Sequence, residues 1–240
     1  MGLRSDQGIV LRGFPFGEAD RVVVLLSPNT GKIRSVAKGV RKTKSRFGGR
    51  LEPFTHVDLV LYEGRNLDTI TQVEVIEAFP RLRADLDKVM AAATMVEVAD
   101  AVTQENESSL RAFLLLQRGL TALDHAETLN PDVIVAYLLK AADVIGFAPA
   151  LTACAACGGT TDLTRFSFDA GGVLCEKHRT PNAVALRDGL VDYLAGLAAA
   201  DLSAMAPPDS RFSGEARGVT RRFMEYHLDR RLDSLAVADA

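Results

Sequence analysis

The apolar pattern of this 240-residue chain changes period once, at Phe79-Pro80, and that change constrains the fold more than any other feature of the sequence. Upstream, short apolar or alternating runs rich in Val, Ile and Leu occur at Gly8-Ile9-Val10-Leu11, Arg21 to Leu26, Lys32 to Ala37, Val57 to Tyr62 and Leu67 to Ile76. They are separated by turn chemistry, Ser27-Pro28-Asn29-Thr30-Gly31 and Glu63-Gly64-Arg65-Asn66 being the clearest cases. Five short strands in one small module predict a barrel, and the five-stranded oligonucleotide/oligosaccharide-binding (OB) barrel is the common unit of that kind.

Downstream of Pro80 the spacing becomes helical. Leu86, Val89, Met90, Ala93, Val96 and Val98 follow helical spacing, and Leu110 to Leu123 and Pro131 to Ile145, which has proline in the first turn, come after them. Helices are expected again at Val184 to Ala200 and Phe212 to Leu235, with Pro207-Pro208-Asp209-Ser210 between them. The last segment interleaves Arg217, Arg221, Arg222, Arg230 and Arg231 with Glu215, Glu225, Asp229 and Asp233, the alternation of a salt-bridged solvent face. The expected class is multidomain α+β: an N-terminal five-stranded OB-type β-barrel, then an all-α domain with a zinc-knuckle insertion. Its boundaries are 1–79 for the barrel, 80–150 for the first helical part, 151–180 for the insertion and 181–240 for the C-terminal helical part.

The insertion is read from its cysteines. Cys154-x-x-Cys157 is followed, after seventeen residues, by Cys175-x-x-His178. Each half presents two soft ligands from one tight turn, which is the two-knuckle pattern of a tetrahedral structural zinc site, with Gly158-Gly159 and Gly171-Gly172 at the bends. All four positions come from the protein, so no open position remains for a reacting water. One Zn2+ per chain, held by Cys154, Cys157, Cys175 and His178, is therefore expected in a structural role. His125-Ala126-Glu127 ahead of Cys154 imitates the two halves of a zinc nucleobase deaminase. That minor alternative leaves Cys175 and His178 unexplained and has Ala153 where the signature has proline. His56 and His227 stand alone, as surface or core histidines.

Charge picks out a second feature. The chain carries a net charge of -3, yet from Gly31 to Arg50 there are eight basic residues, Lys32, Arg34, Lys38, Arg41, Lys42, Lys44, Arg46 and Arg50, and no Asp or Glu. Such a local field suits a polyanion, because each neutralised phosphate releases condensed counterions. The run falls between the third and fourth strands, as a long, mobile loop at the mouth of the barrel. Gly48-Gly49 permits close backbone approach, and Phe47 either stacks on a base or anchors the loop in the barrel. The candidate DNA-binding set is Lys38, Arg41, Lys42, Lys44, Arg46, Phe47 and Arg50, with Arg21, Lys32 and Arg34 beside them.

Several classes are excluded. No apolar run reaches the roughly 18 residues of a membrane helix. The first residues, Met1-Gly2-Leu3-Arg4-Ser5-Asp6, hold no apolar signal core, so the expected compartment is the cytoplasm. No Walker A, dinucleotide-binding or G-x-S-x-G motif occurs, and nucleotide hydrolysis and acyl transfer lack support.

Taken together, these residues resemble one family, the bacterial recombination mediator RecO. The resemblance rests on Val10-Leu11-Arg12 with Gly17-Glu18-Ala19-Asp20-Arg21, on Val36-Ala37-Lys38-Gly39-Val40-Arg41-Lys42 with Ser45-Arg46-Phe47-Gly48, and on Leu51-Glu52-Pro53-Phe54. Gly146-Phe147-Ala148-Pro149, the Cys154 knuckle and Phe223 to Leu235 extend it over nearly the whole chain. The resemblance implies a non-enzymatic protein that binds single- and double-stranded DNA, anneals complementary strands, engages the single-stranded-DNA-binding protein SSB and acts with RecR to load RecA at gaps. His178 stands where a Cys is common in that family. The competing reading is a protein-interaction hub on SSB-coated DNA, with DNA contact secondary.

Overall fold

The computed structural model describes residues 2–43, 45 and 47–238, with side chains described through Leu235. The chain divides into two compact units, Met1–His125 and Ala126–Ala240.

In the first unit the expected strands form β1 (Leu3–Phe16), β2 (Asp20–Ser27), β3 (Gly31–Ala37), β4 (His56–Tyr62) and β5 (Asp68–Glu77). They close into a barrel in the order β1-β2-β3-β5-β4. β1 is far longer than its apolar run because it serves two neighbours. Leu3 to Ile9 pair with β4, and after a bulge between Val10 and Arg12 the strand continues along β2 as far as Phe16 opposite Asp20. At the switch, Val10 donates to Thr55 O at 2.9 Å and accepts from Phe54 N at 2.8 Å, so its backbone groups stay satisfied. Closure comes from a short parallel pairing of Ser35 and Val36 with Asp68 and Thr69.

The inward residues Val23, Leu25, Ile33, Val57, Leu59, Leu61 and Ile70 make the barrel core. Val22, Val24 and Leu26 lie on the opposite side of β2 and are equally buried. A continuous apolar run is what a strand covered on both faces requires, and the cover is supplied by α2 (Leu86–Val102) against β1 and α3 (Leu110–His125) against β2. Phe113 of α3 meets the buried His56 ring edge-on at 5.5 Å. Asp85 caps α2, accepting from Asp87 N and Lys88 N. In the short α1 (Pro80–Arg83), Leu82 N donates to Asp124 of α3 at 2.8 Å.

The segment joining α2 to α3 is bolted to β3. Lys32 N donates to Gln104 O, Asn106 N donates to Lys32 O, and a Cβ on Gly31 (φ +83°) would sit 1.9 Å from Glu107 O. Only glycine fits there. The Lys32 side chain completes the joint, donating to Asp100 O at 2.7 Å and pairing with its carboxylate at 3.0 Å.

The second unit is built on α4 (Val133–Val144), which is buried on nearly every side. Against it pack α5 (Leu190–Ala199) and α6 (Ser213–Leu228), and a short α7 (Asp233–Ala238) follows in the chain. The helix expected over Phe212 to Leu235 breaks at Asp229, whose φ of 49° ends α6. Asp132, buried at the head of α4, accepts from Tyr193 Oη and from Ser213 Oγ, tying α4 to α5 and α6. A three-stranded sheet, β7 (Gly172–Cys175), β6 (Leu163–Ser167) and β8 (Val184–Ala185), includes Cys175 at the end of β7, while Cys154 and Cys157 lie in the turn ahead of the sheet. Val184, expected to open a helix, instead pairs with Phe166, and the helix begins at Leu190 after Gly189 with φ +84°. Phe166 packs edge-on against Phe223 of α6 at 5.6 Å and fixes the sheet to the helices.

One carboxylate in the barrel makes its stability depend on pH. Asp6 is buried, which by itself raises its pKa, but donors on Thr30, Ser27, Asn29 and Gln7 outweigh this and hold the carboxyl below the usual range. The depressed folded value means that Asp6 adds stability above about pH 4, the unfolded value, and that this is lost as pH falls through the folded value. Chemical denaturation of Asp6→Ala followed from pH 7 to pH 3 should show lower stability at neutral pH and a flatter acid limb than the parent. An identical acid limb would contradict it.

Candidate nucleic-acid interface and metal knuckle

The basic segment is folded onto the barrel rather than hanging from it. Among the described residues of 38–55 no strand forms, and the chain turns repeatedly: Lys42 N donates to Gly39 O, Ser45 N to Lys42 O, Arg50 N to Phe47 O and Glu52 N to Gly49 O. Gly39 and Gly48 take positive φ in these turns. Phe47 and Leu51, each only 1% exposed, enter the barrel core with Val40 packed against them. At the far end Arg83 holds the chain, donating to Pro53 O and Thr55 Oγ1 and lying 5.6 Å over the Phe54 ring. The expectation of a mobile loop is thereby corrected: burial of two large apolar side chains anchors it, each contributing about 1.5–3 kcal/mol.

This packing sorts the predicted residues. Phe47 is removed from the contact set, since a ring inside the barrel core has no face for a base. Lys32 is removed as well, because its ammonium is held by Asp100 beneath the α2–α3 connection. Lys38, Arg41, Lys42 and Arg50 stand exposed on the segment. Arg21 pairs with Glu52 at 3.0 Å and Arg34 with Glu105 at 3.5 Å; both remain partly exposed, and such surface pairs contribute 0–1 kcal/mol. Lys44 and Arg46 lie outside the described residues. The segment also leans on the β1–β2 turn: Gly39 N donates to Asp20 at 2.7 Å, Arg41 N to Ala19 O at 3.0 Å, and the Arg41 guanidinium to Gly17 O at 3.4 Å. The sequence reading passed over Phe16, exposed at the start of this turn, and Arg12, which shares Asp100 with Lys32. The alternation Arg12, Phe14, Phe16 along β1 was the available signal.

The cysteine set is brought together as its spacing predicts. The ligand atoms of Cys154, Cys157, Cys175 and His178 lie within 4.8 Å of one another. Cys157 Sγ is 4.0 Å from Cys175 Sγ, which is 3.2 Å from His178 Nδ1. A tetrahedron with metal–sulfur bonds of 2.3 Å has edges of about 3.8 Å, so the donor set fits a metal ion. The knuckles are shaped by backbone bonds. Gly158 N donates to Cys154 O, and Cys154 N to Gly159 O. Cys175 N points at Cys154 Sγ at 3.4 Å, and chiefly this donor lowers the Cys154 thiol to about 6. A Cβ on Gly172 would strike Ala150 O at 2.4 Å, so glycine lets the start of β7 lie close against the chain that leads into the first knuckle. Among the described residues no other group of three or more such ligands forms, and His125 and Glu127 of the deaminase reading take no part in it.

Comparison with known proteins places both features in one context. A family model described as "Recombination protein O N terminal" matches residues 1–79, and one described as "Recombination protein O C terminal" matches residues 83–236. A "DNA repair protein RecO" of Frankia casuarinae is 42% identical over 237 residues, covering 98% of each chain. Its counterpart in a Nocardioides species is 43% identical over 242 residues and 99% of each chain. That of Thermobifida fusca is 39% identical, covering all of this chain and 99% of its own. The barrel with its basic segment, the helices and the metal knuckle are thus those of a protein that belongs to the RecO family of DNA repair proteins.

Proposed function

We propose that this chain is a recombination mediator that binds single- and double-stranded DNA, anneals complementary strands and, with SSB and RecR, promotes RecA loading at gaps, without catalysing a reaction of its own. The observation that carries the reading is the grouping of Lys38, Arg41, Lys42 and Arg50 on a segment anchored at one end of the barrel, in a stretch free of acidic residues. Phosphate contacts position a strand without reading its bases, which is what annealing of arbitrary sequence requires. Holding two polyanions side by side needs cations on a fixed scaffold, and burial of Phe47 and Leu51 supplies the fixing. Lys44 and Arg46 belong to the same proposed contact set, with Arg21 and Arg34 at its edge. The proposed setting is the bacterial cytoplasm at the nucleoid; no helix among the described residues is long and apolar enough to cross a membrane.

For the knuckle we propose zinc. Three thiolates and an imidazole in a closed four-ligand set are the donors of a structural zinc site, and when bound the ion supplies a cross-link between two turns of chain rather than a reactive water.

Reversing Arg41, Lys42 and Lys44 to Glu should weaken binding of single strands and duplexes alike, whatever their sequence. The slope of log affinity against log salt should fall by about 2 on single strands, at roughly 0.7 per phosphate contact. Titration of labelled oligonucleotides between 50 and 300 mM salt measures this, and unchanged affinity at low salt would remove the segment as the DNA site. Strand annealing on naked DNA is expected from the parent; annealing confined to SSB-coated DNA would favour the interaction-hub reading.

Elemental analysis of purified protein should find about one zinc per chain. Cys157→Ser should lose the metal and lower the melting temperature, while metal-free parent protein with unchanged melting would overturn the assignment.

A further inference from the structure

With Phe47 inside the barrel and the half-buried Phe54 ring taken by the Arg83 guanidinium, the segment's described aromatics are engaged with the fold. Proteins that hold single strands without sequence preference nevertheless usually combine cations with an aromatic on which bases stack. An aromatic does stand beside the segment, on another element. Phe16 ends β1 at the same end of the barrel, opposite Asp20 and next to the turn, and it is 49% exposed. The contacts from Gly39 and Arg41 to Asp20, Ala19 and Gly17 hold the cationic segment against that turn. Phe14, two residues earlier on the same side of β1, is already flanked by the guanidiniums of Arg12 and Arg34, each 5.9 Å from its ring centre. No ring or guanidinium contact covers Phe16 among the described residues.

We propose that Phe16 is a base-stacking subsite for single-stranded DNA, set beside the phosphate-binding cations Lys38, Arg41 and Lys42. The inference rests on the reading of that segment as the DNA interface. A single strand lying along the segment can turn an unpaired base onto the ring. A duplex cannot, because its bases are already stacked and paired. The ring therefore favours single strands over duplexes, while the cations bind both. Glu18 and Asp20 share the turn; Asp20 accepts from Gly39 N, so this carboxylate serves to dock the segment.

The test uses the full chain, an oligo(dT) strand and a blunt duplex of equal length, in parallel titrations of the parent, Phe16→Ala, Phe16→Trp and Arg41→Glu/Lys42→Glu. Phe16→Ala should lose about ten-fold in affinity for oligo(dT), less than two-fold for the duplex, and keep the salt slope of the parent. Phe16→Trp should restore single-strand binding. Because the chain holds no other tryptophan, its emission reports on this position alone and should be quenched by oligo(dT). Melting curves of the variants should match the parent, the side chain being half exposed.

If Phe16→Ala binds oligo(dT) like the parent, or if oligo(dT) leaves the Phe16→Trp emission unchanged while the strand is bound, the subsite is refuted. In the first case Phe16 would be left as a candidate protein contact. Loss of binding in Arg41→Glu/Lys42→Glu alongside an inert Phe16→Ala would overturn this inference and leave the DNA reading of the segment standing. Unchanged binding in both would overturn the two together.

Discussion

The insertion of Phe47 and Leu51 into the barrel is the interaction on which the rest of the N-terminal unit's surface depends. A segment with this density of positive charge repels itself, and the backbone bonds seen among its described residues form isolated turns. Two buried apolar side chains offset that repulsion, and the Arg83 contacts to Pro53 and Thr55 close the far end. The cations are then displayed by a fixed surface instead of a floating tether, so less conformational entropy is lost when a polyanion binds.

The same unit separates cations that hold the fold from cations that face solvent. Lys32 and Arg12 share Asp100, whose carboxyl is held below its usual range because those two partners outweigh the effect of burial. That cluster joins β3 and β1 to α2 and contributes to the packing that buries Val22, Val24 and Leu26 on the outer side of β2. At the end of the barrel, where the 38–55 segment meets the β1–β2 turn, Lys38, Arg41 and Lys42 are exposed. In the second unit the knuckle has an equivalent role: it pins β7 and the turn at Cys154 together, and Phe166 passes that order on to α6 through Phe223.

Much of this was legible in the sequence, for definite reasons. Short apolar or alternating runs located all five strands, and helical spacing located α3 and α4, because a buried face imposes its period on the residues that line it. The same spacing located α2, but its buried face is Ala91, Ala92, Met95, Val98 and Ala99, while Leu86 is exposed. The grouping of Cys154, Cys157, Cys175 and His178 was legible from spacing alone, since a knuckle brings two side chains together only at short separations. What escaped notice depended on residues distant in the chain. Lys32 reads as one more cation in a basic run, and its partner Asp100 is 68 residues away. Phe47 sits among Arg, Ser and Gly, so no periodic pattern decides between stacking on a base and anchoring in the barrel, and only its burial separates the two readings. The extension of β1 to Phe16 was hidden by its bulge, which interrupts the alternation at Leu11. Val184 continues an apolar run that looks helical, and only pairing with Phe166 makes it a strand.

The central claim is that DNA lies on the barrel end formed by residues 38–55 and the β1–β2 turn. Amide hydrogen exchange of the full chain, with and without saturating oligo(dT), measures this most directly. The account predicts slowed exchange in peptides covering residues 16–21 and 38–52, with little change over β4 and β5. Unchanged exchange in both of those stretches, with protection confined to the helices of either unit, would contradict it.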